Sequence, residues 1–469
     1  MAPNLFLKSN FRIYVIGFTA ALVGLLFGLG IGVISGAANY LQHDLKISDD
    51  FLELIVAAPL WGAVIGTLIT GFFSQHWGRK KIMLLSALIF IAGSLLCSLS
   101  TSADQLLLAR TLFGVAIGIA SFITPIYISE IAPKKIRGTL MSLYIMLIAT
   151  GVLMAFVSNT FISTGWLHCS LISDPWRLML GIVALPACMT FIGILFLPES
   201  PRWLFLNEFT ERGVAVLQKI GCSPEQILQE KKEIATALHK KEKGFFLLKT
   251  SSPFRRVLLL GISLQVIQQI TGINIVLFYA PRIFQFAGFS STSEQLWGTI
   301  FIGIVNMLST LIALFFIDKL GRKPIMTLGL LIMGISLATV GLLLKMDLQY
   351  HPVLANIAAG ALLLFIFGFG MSAGPVVWLL CSEVFPLAGK DFGVTFSTAA
   401  NWISNAIVSG TFLSLLHQFG NANTFLLYAV FQAFSLLFFF LFVPETKGVS
   451  LEKIESNLFS GLPLRKIGS

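Results

Sequence analysis

The chain has 469 residues, of which 56% are hydrophobic and only 12% are charged. Soluble domains contain about 25% charged residues, and the mean hydropathy here is +0.86, so the composition excludes a string of soluble domains and indicates an integral membrane protein. The formal net charge of +10 would also suit a nucleic-acid-binding protein, and the distribution of the charges along the chain decides between the two.

The first part of the chain contains six apolar stretches. Each is close to the ~20 residues that a helix needs to cross a hydrocarbon layer about 30 Å thick. The first stretch is too long for the apolar region of a secretory signal, and no small-residue cleavage site follows it, so we expect a retained span. The predicted spans lie near residues 13–35, 54–74, 82–99, 105–128, 139–163 and 177–197.

A polar segment from Glu199 to Arg256 is too hydrophilic to cross a membrane. Within it, Ser223 and Pro224 fit the N-cap and the first position of a helix, and Gln226 fits the capping box. We therefore expect a short cytoplasmic helical segment that continues to about Lys241. Six further spans follow, near residues 256–286, 296–317, 325–344, 354–381, 391–416 and 423–443.

Three short motifs occur twice in the chain, in the same order. Gly78-Arg79-Lys80-Lys81 matches Gly321-Arg322-Lys323-Pro324, Ser129-Glu130 matches Ser382-Glu383, and Pro198-Glu199-Ser200 matches Pro444-Glu445-Thr446. This repetition predicts an all-α membrane protein with twelve transmembrane helices in two six-helix halves. Parallel halves of this kind bind substrate at their interface near the bilayer midplane and rock against each other. The predicted units are residues 1–198, 199–255, 256–445 and a cytoplasmic tail, 446–469.

The positive charges are concentrated on one side of the predicted membrane. All but five of the 32 Lys and Arg residues lie in loops on that side, in the middle segment or in the termini. The exceptions are Lys46, Arg110, Arg177, Arg282 and Lys345. By the positive-inside rule, we expect a cell-membrane protein with both termini in the cytoplasm. The excess charge then faces the anionic lipids of the inner leaflet, and nothing else in the sequence supports nucleic-acid binding.

The residues that usually carry enzyme chemistry are scattered. The five cysteines have no paired spacing, and no histidines are placed to share a metal ion with them. The spans contain no nucleophile with a neighbouring base. We therefore expect no metal site, no cofactor and no enzyme activity.

Polar side chains inside the predicted spans mark a candidate substrate site, because such groups are costly in lipid unless they face a cavity or a partner. Amides pair well with the hydroxyl groups of a sugar, and indole rings stack on its C–H face. The alternative is that single amides only join helices, which fits Asn306 better than it fits the whole set. The candidates are Gln268, Gln269, Asn274, Asn306, Trp378, Asn401, Trp402 and Asn405.

Six motifs in this order resemble the sugar porter family of the major facilitator superfamily, and most closely its bacterial galactose–proton and arabinose–proton symporters. The resemblance covers essentially the whole chain. It implies a major facilitator fold, transport of a hexose or pentose by alternating access, and a pyranose site formed by the amides and tryptophans named above. The motifs are Gly71–Lys81 (GFFSQHWGRKK), Ser129–Gly138 (SEIAPKKIRG), Pro198–Trp203 (PESPRW), Gln265–Pro281 (QVIQQITGINIVLFYAP), Asp318–Lys323 (DKLGRK) and Pro444–Lys447 (PETK).

Charged residues of the repeated motifs predict a latch at the cytoplasmic ends of the spans. Glu130 and Glu383 end long spans on the side that carries Arg79, Arg137 and Arg322, so charge-assisted pairs can join helix ends there. We expect such pairs to break when the cytoplasmic side opens. The alternative is that these charges are solvated and only set the topology.

Two positions depart from the proton-coupled members of the family. Gly30 stands where those members carry an aspartate, and Ile145 stands where they carry a sugar-binding glutamine. Without an acid at Gly30, Arg110 in the fourth span lacks the partner that a symporter needs, so facilitated uniport is favoured. Sugar–proton symport through another group and a non-transporting sugar sensor are the alternatives.

Overall fold

A computed structural model describes most of the chain. It covers residues 3–133, 136–166, 174–220, 244–346, 348–386 and 389–468, together with 222, 224, 225, 227 and 228. All regular secondary structure in these ranges is helical, which confirms the predicted fold class. The predicted boundaries at 198/199, 255/256 and 445/446 stay predictions.

The first half consists of seven helices that form six spans. Serine side chains cap two of them, since Ser48 accepts a hydrogen bond from the Phe51 N–H and Ser102 accepts one from the Gln105 N–H. The sixth span is a pair of helices interrupted at residues 182–183. The helices are α1 (Pro3–Leu45), α2 (Asp49–Trp77), α3 (Arg79–Leu99), α4 (Ala103–Ile131), α5 (Arg137–Ser163), α6 (Pro175–Gly181) and α7 (Ala184–Leu195).

The middle segment contains three short helices in its described part, α8 (Pro201–Leu206), α9 (Thr210–Lys219) and α10 (Gly244–Thr250). The helix predicted from Ser223 to Lys241 lies largely outside the described residues, although 224, 225, 227 and 228 are helical.

The seventh, tenth and eleventh spans of the second half are interrupted, the eleventh at residues 410–411. The seventh span comprises three helices, and the tenth is broken at Ser372. The helices are α11 (Ser252–Ile270), α12 (Ile273–Phe278), α13 (Ala280–Phe286), α14 (Thr292–Leu320), α15 (Arg322–Leu343), α16 (Pro352–Met371), α17 (Ala373–Val384), α18 (Lys390–Ser409) and α19 (Phe412–Phe442), with α20 (Leu451–Phe459) in the tail.

Three glycines form the same tight turn between spans. Gly78, Gly321 and Gly420 have φ values of 88°, 98° and 77°, with ψ near 163° in each case, and a positive φ of this kind favours glycine. Gly420 lies inside α19. It therefore separates the end of the eleventh span, residues 412–419, from the twelfth, residues 421–442.

Eleven helical segments of the described chain are long and apolar enough to cross a membrane. The remaining predicted span begins with α18, which is 20 residues long and is more polar because it carries Asn401 and Asn405. These polar residues are buried, since α18 packs between α2 and α11.

The two halves meet along several helix pairs. Helix α2 of the first half packs on α18 of the second, α5 packs on α14, and α1 contacts α12 and α13. Near the centre of this interface, the ring of Phe27 on α1 lies 5.5 Å from that of Trp402 on α18, measured between centroids. Polar groups on α11, α12 and α18 therefore lie close to the boundary between the halves.

Candidate functional site

The seventh span breaks at Gly272, which has a left-handed backbone with φ 84°. The break interrupts the helical hydrogen bonds, and Gln432 on α19 donates to the free Thr271 carbonyl at 2.8 Å. It leaves Gln268 and Gln269 at the end of α11 and Asn274 in the first turn of α12. Three predicted site residues thus surround one defect in the helix.

Four of the predicted amides lie in one buried cluster. Asn401 on α18 donates to Gln268 Oε1 at 2.8 Å, and Asn274 donates to Gln269 Oε1 at 2.7 Å. The Nε2 atom of Gln268 also donates to the Ala373 carbonyl at 2.7 Å, at the break in the tenth span. The cluster therefore connects the broken seventh and tenth spans with α18.

Gln265 joins this cluster but was absent from the predicted site. Its Oε1 accepts a hydrogen bond from Asn401 Nδ2 at 2.6 Å, and its side chain is buried. The available signal was its spacing, because residues 265 and 268 are i,i+3 neighbours on one helix face.

Several polar atoms of the cluster are not hydrogen-bonded to any described residue. The Oδ1 atoms of Asn274 and Asn401 accept no hydrogen bond there, although both Nδ2 atoms donate. The Nε1 atom of Trp402 is buried and has no partner among these residues. Asn159 Oδ1 and Gln432 Oε1, which lie outside the cluster, also have no partner among the described residues, so it is the position of the cluster at the interface between the halves that favours a ligand site.

The other predicted residues are not joined to the cluster by hydrogen bonds. Asn306 on α14 is buried, and its side chain makes no hydrogen bond to a described residue. Asn405 accepts a hydrogen bond from Ser409 Oγ at 3.0 Å. Trp378 on α17 is half-buried, and Ile145 is half-buried against the apolar core.

Arg110 is buried and forms no ion pair with a described residue. Its side chain is on α4, the residue is 2% exposed, and its Nε atom has no hydrogen-bond partner in the described chain. The guanidinium carbon lies 5.9 Å from the centre of the Phe113 ring. A Cβ atom built on Gly30 would lie 2.6 Å from Cε1 of the same ring. Phe113 therefore occupies the space into which a side chain at position 30 would extend.

The repeated charged motifs form matching pairs at one end of the bundle, which we call the basic end. Arg79 binds Glu130 through two hydrogen bonds, of 2.8 and 2.9 Å, and Arg322 binds Glu383 through two, of 2.8 and 3.3 Å. Each pair joins the start of one span to the end of the next within a single half. Arg137, the fifth predicted latch residue, forms no ion pair with a described residue.

A second pair of glutamates supports the same motifs. Glu199 accepts the N–H groups of Arg79 and Lys80, and Glu445 accepts those of Arg322 and Lys323. Burial raises the pKa of Glu445, but hydrogen bonds from backbone N–H groups outweigh it and lower the pKa below its ordinary value.

The other end of the bundle, which we call the far end, is joined differently. Asp49 at the start of α2 binds Arg282 through two hydrogen bonds, of 2.9 and 2.8 Å. The Oδ2 atom of Asp49 also lies 2.8 Å from Nε2 of His417. Glu53, one turn later on α2, binds Ser414 at the start of α19. These contacts cross between the halves and were not predicted from the sequence.

Comparison with known proteins identifies the family. The family model described as "Sugar (and other) transporter" matches residues 16–458. The chain belongs to the sugar porter family of the major facilitator superfamily. This sugar porter is therefore a multi-pass membrane transporter of sugars, as the motifs predicted.

Two curated relatives from Escherichia coli K12 match this sugar porter over nearly its whole length. A galactose–proton symporter is 43% identical over 456 residues, which are 97% of this chain and 96% of the relative. An arabinose–proton symporter is 40% identical over 454 residues, with coverage of 96% and 94%.

Solved structures confirm the major facilitator fold of this sugar porter. The E. coli xylose transporter XylE in a partially occluded inward-open conformation has a TM-score of 0.81 at 30% identity, covering 93% of this chain and 99% of its own. The proton:xylose symporter XylE bound to 6-bromo-6-deoxy-D-glucose has a TM-score of 0.78 at 31% identity, with coverage of 95% and 98%.

Proposed function

We propose that this sugar porter carries a monosaccharide, a hexose or pentose, across the cell membrane by alternating access, with the basic end and both termini in the cytoplasm. The amide cluster at the broken seventh span is the observation that carries the proposal. Next to the interface between the halves, it offers the acceptors of Asn274 and Asn401 and the donor of Trp402, none of which has a partner among the described residues.

A sugar matches these groups chemically. Each sugar hydroxyl both donates and accepts, so it can bond with amide oxygens and nitrogens, whereas a cation would need an acidic group in the site. The cluster of Gln265, Gln268, Gln269, Asn274 and Asn401 contains amides only. The named relatives carry galactose, arabinose and xylose, which supports a monosaccharide of this size.

We further propose that transport is facilitated uniport. A symporter needs a carboxylate that binds a proton in one conformation and releases it in another. In the described chain no acid pairs with Arg110, and the Phe113 ring occupies the space beside Gly30. One proton moving down 100 mV supplies about 2.3 kcal/mol, enough for accumulation on the order of 50-fold. Without that proton, the porter only equilibrates its sugar.

Uptake of labelled galactose, glucose, arabinose and xylose into proteoliposomes tests both proposals. We expect at least one sugar to reach the external concentration and stop there, whether or not a pH gradient is imposed. Accumulation above the external concentration under an inward proton gradient would support symport through another group. A porter that binds sugar but moves none of the panel would be a sensor, and the transport proposal would fail.

A further inference from the structure

We infer that Glu53, supported by Asp49, is the lock that holds the far end of this sugar porter closed. The inference depends on the two halves moving against each other, as in parallel-repeat transporters. It does not depend on which sugar is carried or on proton coupling.

Glu53 is a first-half acid whose hydrogen-bond partners in the described chain all belong to the second half. Its Oε1 atom accepts the N–H groups of Leu413 and Ser414, the latter at 2.9 Å, and its Oε2 atom accepts the Ser414 hydroxyl at 2.6 Å. Glu53 is 3% exposed. The carboxylate is therefore satisfied entirely across the interface between the halves.

The position of these donors explains why a carboxylate suits them. Leu413 and Ser414 lie in the first turn of α19, where backbone N–H groups have no partner inside the helix. The helix dipole adds positive potential at that point, which favours a negative charge. A hydrogen bond to a charged group is also stronger than a neutral one.

Asp49 extends the lock to a second element of the opposite half. It binds Arg282 on α13 through two hydrogen bonds and contacts His417 on α19. Gln42 at the end of α1 donates to the same carboxylate at 2.6 Å. The first two turns of α2 are thus tied to both α13 and α19.

Opening of the far end must break all of the contacts that Glu53 and Asp49 make with the second half. Helix α2 moves with the first half, and α13 and α19 move with the second, so separation of the halves at this end removes every second-half donor from Glu53 and Asp49. Water must then replace those donors, because an unpaired buried carboxylate is very costly. The lock therefore biases the porter towards the conformation in which the far end is closed.

The distance between two spin labels across the far end tests this inference on the full chain in nanodiscs. Thr101 in the first half and Tyr350 in the second are exposed, and cysteines at both positions in a background without native cysteines carry the labels. Without sugar, we expect one short distance for the otherwise unsubstituted chain. E53Q should raise the ratio of the long-distance to the short-distance population at least about tenfold, because the charge-assisted bonds are lost.

Two further variants make the result decisive. E294Q is the matched control, since Glu294 is an exposed acid of the second half that caps its own helix at Ser291, and we expect no shift. S414A removes one donor and leaves the acid in place, so it should shift the ratio in the same direction by less. If E53Q does not fold, S414A and D49N carry the test. Unchanged distances in the variants that fold would overturn the inference.

Discussion

The two ends of this sugar porter use the same chemistry in different places. At the basic end, Arg79–Glu130 and Arg322–Glu383 each join helices of one half. At the far end, Asp49 and Glu53 of the first half bind groups of the second. Halves that rock as rigid bodies must break the far-end contacts and can keep the basic-end pairs. The location of a charged pair relative to the interface therefore decides whether it stabilises a half or a conformation.

This difference limits how the predicted latch at the basic end can act. Because each basic-end pair lies within a half, these pairs oppose opening only if helix ends also move inside that half. Burial lowers the pKa of Lys390 in the second half, and the positive charge of Arg137 lowers it further, so the electrostatic interaction between these two residues across the halves is repulsive.

Substitution of Glu130 is expected to have the largest effect on stability. The side chains of Arg79 and Glu130 are 9% and 8% exposed, and removal of one partner from a buried pair costs about 3–5 kcal/mol. E130Q should therefore lower the unfolding temperature markedly but leave the distance between labels at Thr101 and Tyr350 unchanged.

The control for that substitution is D318N, because Asp318 pairs with Arg322 at the same end but its side chain is 79% exposed. We expect little change in its unfolding temperature. If E130Q instead moved apart two labels placed across the basic end, the contrast between the two ends would be false, and the basic-end pairs would act as the predicted latch.

A smaller effect, on sugar binding, is expected from substitutions in the amide cluster midway between the ends. Q268A removes an amide that accepts from Asn401 and should weaken sugar binding by about 1–3 kcal/mol, without shifting the far-end distance. Calorimetric titration with the transported sugar measures the loss. N159A is the matched control, since Asn159 is a buried amide that only joins α5 to the carbonyls of Gly32 and Val33. Equal loss in both variants would make Gln268 structural.

The smallest effect concerns pH at the basic end. The lowered pKa of Glu445 means that its carboxylate stabilises the folded chain at neutral pH. This contribution is complete above the unfolded pKa of about 4.3 and is lost as the pH falls through the lower folded value. Lowering the pH from 7 to about 3 should thus reduce the unfolding temperature of the unsubstituted chain more than that of E445Q. Parallel curves would contradict this account.

The spans, the two halves and four of the five members of the amide cluster could be predicted because each leaves a local signal. Apolar length marks a span, the repeated motifs mark the halves, and a polar residue in an apolar stretch marks a cluster member such as Gln268. Partners were harder to predict. Two of the three described donors to Glu53 are the backbone N–H groups of Leu413 and Ser414, and a backbone group has no signature in the sequence.

The same limit applies at Gly30. The sequence shows that an acid is absent, but it does not show what fills the space. That space is taken by Phe113, which comes from another span and also packs on Phe90, with ring centroids 5.1 Å apart. Gly30→Asp alone would therefore place its Cβ against the Phe113 ring, so a variant meant to restore an acid needs a smaller residue at position 113 as well.

Sugar-induced alkalinisation of the medium of lightly buffered cells tests the central claim, transport without protons, most directly. For the unsubstituted porter we predict no proton signal while labelled sugar equilibrates across the membrane. We expect a signal to appear in the double variant G30D/F113L, in which an acid can reach Arg110. A clear sugar-induced proton signal from the unsubstituted porter would contradict the account.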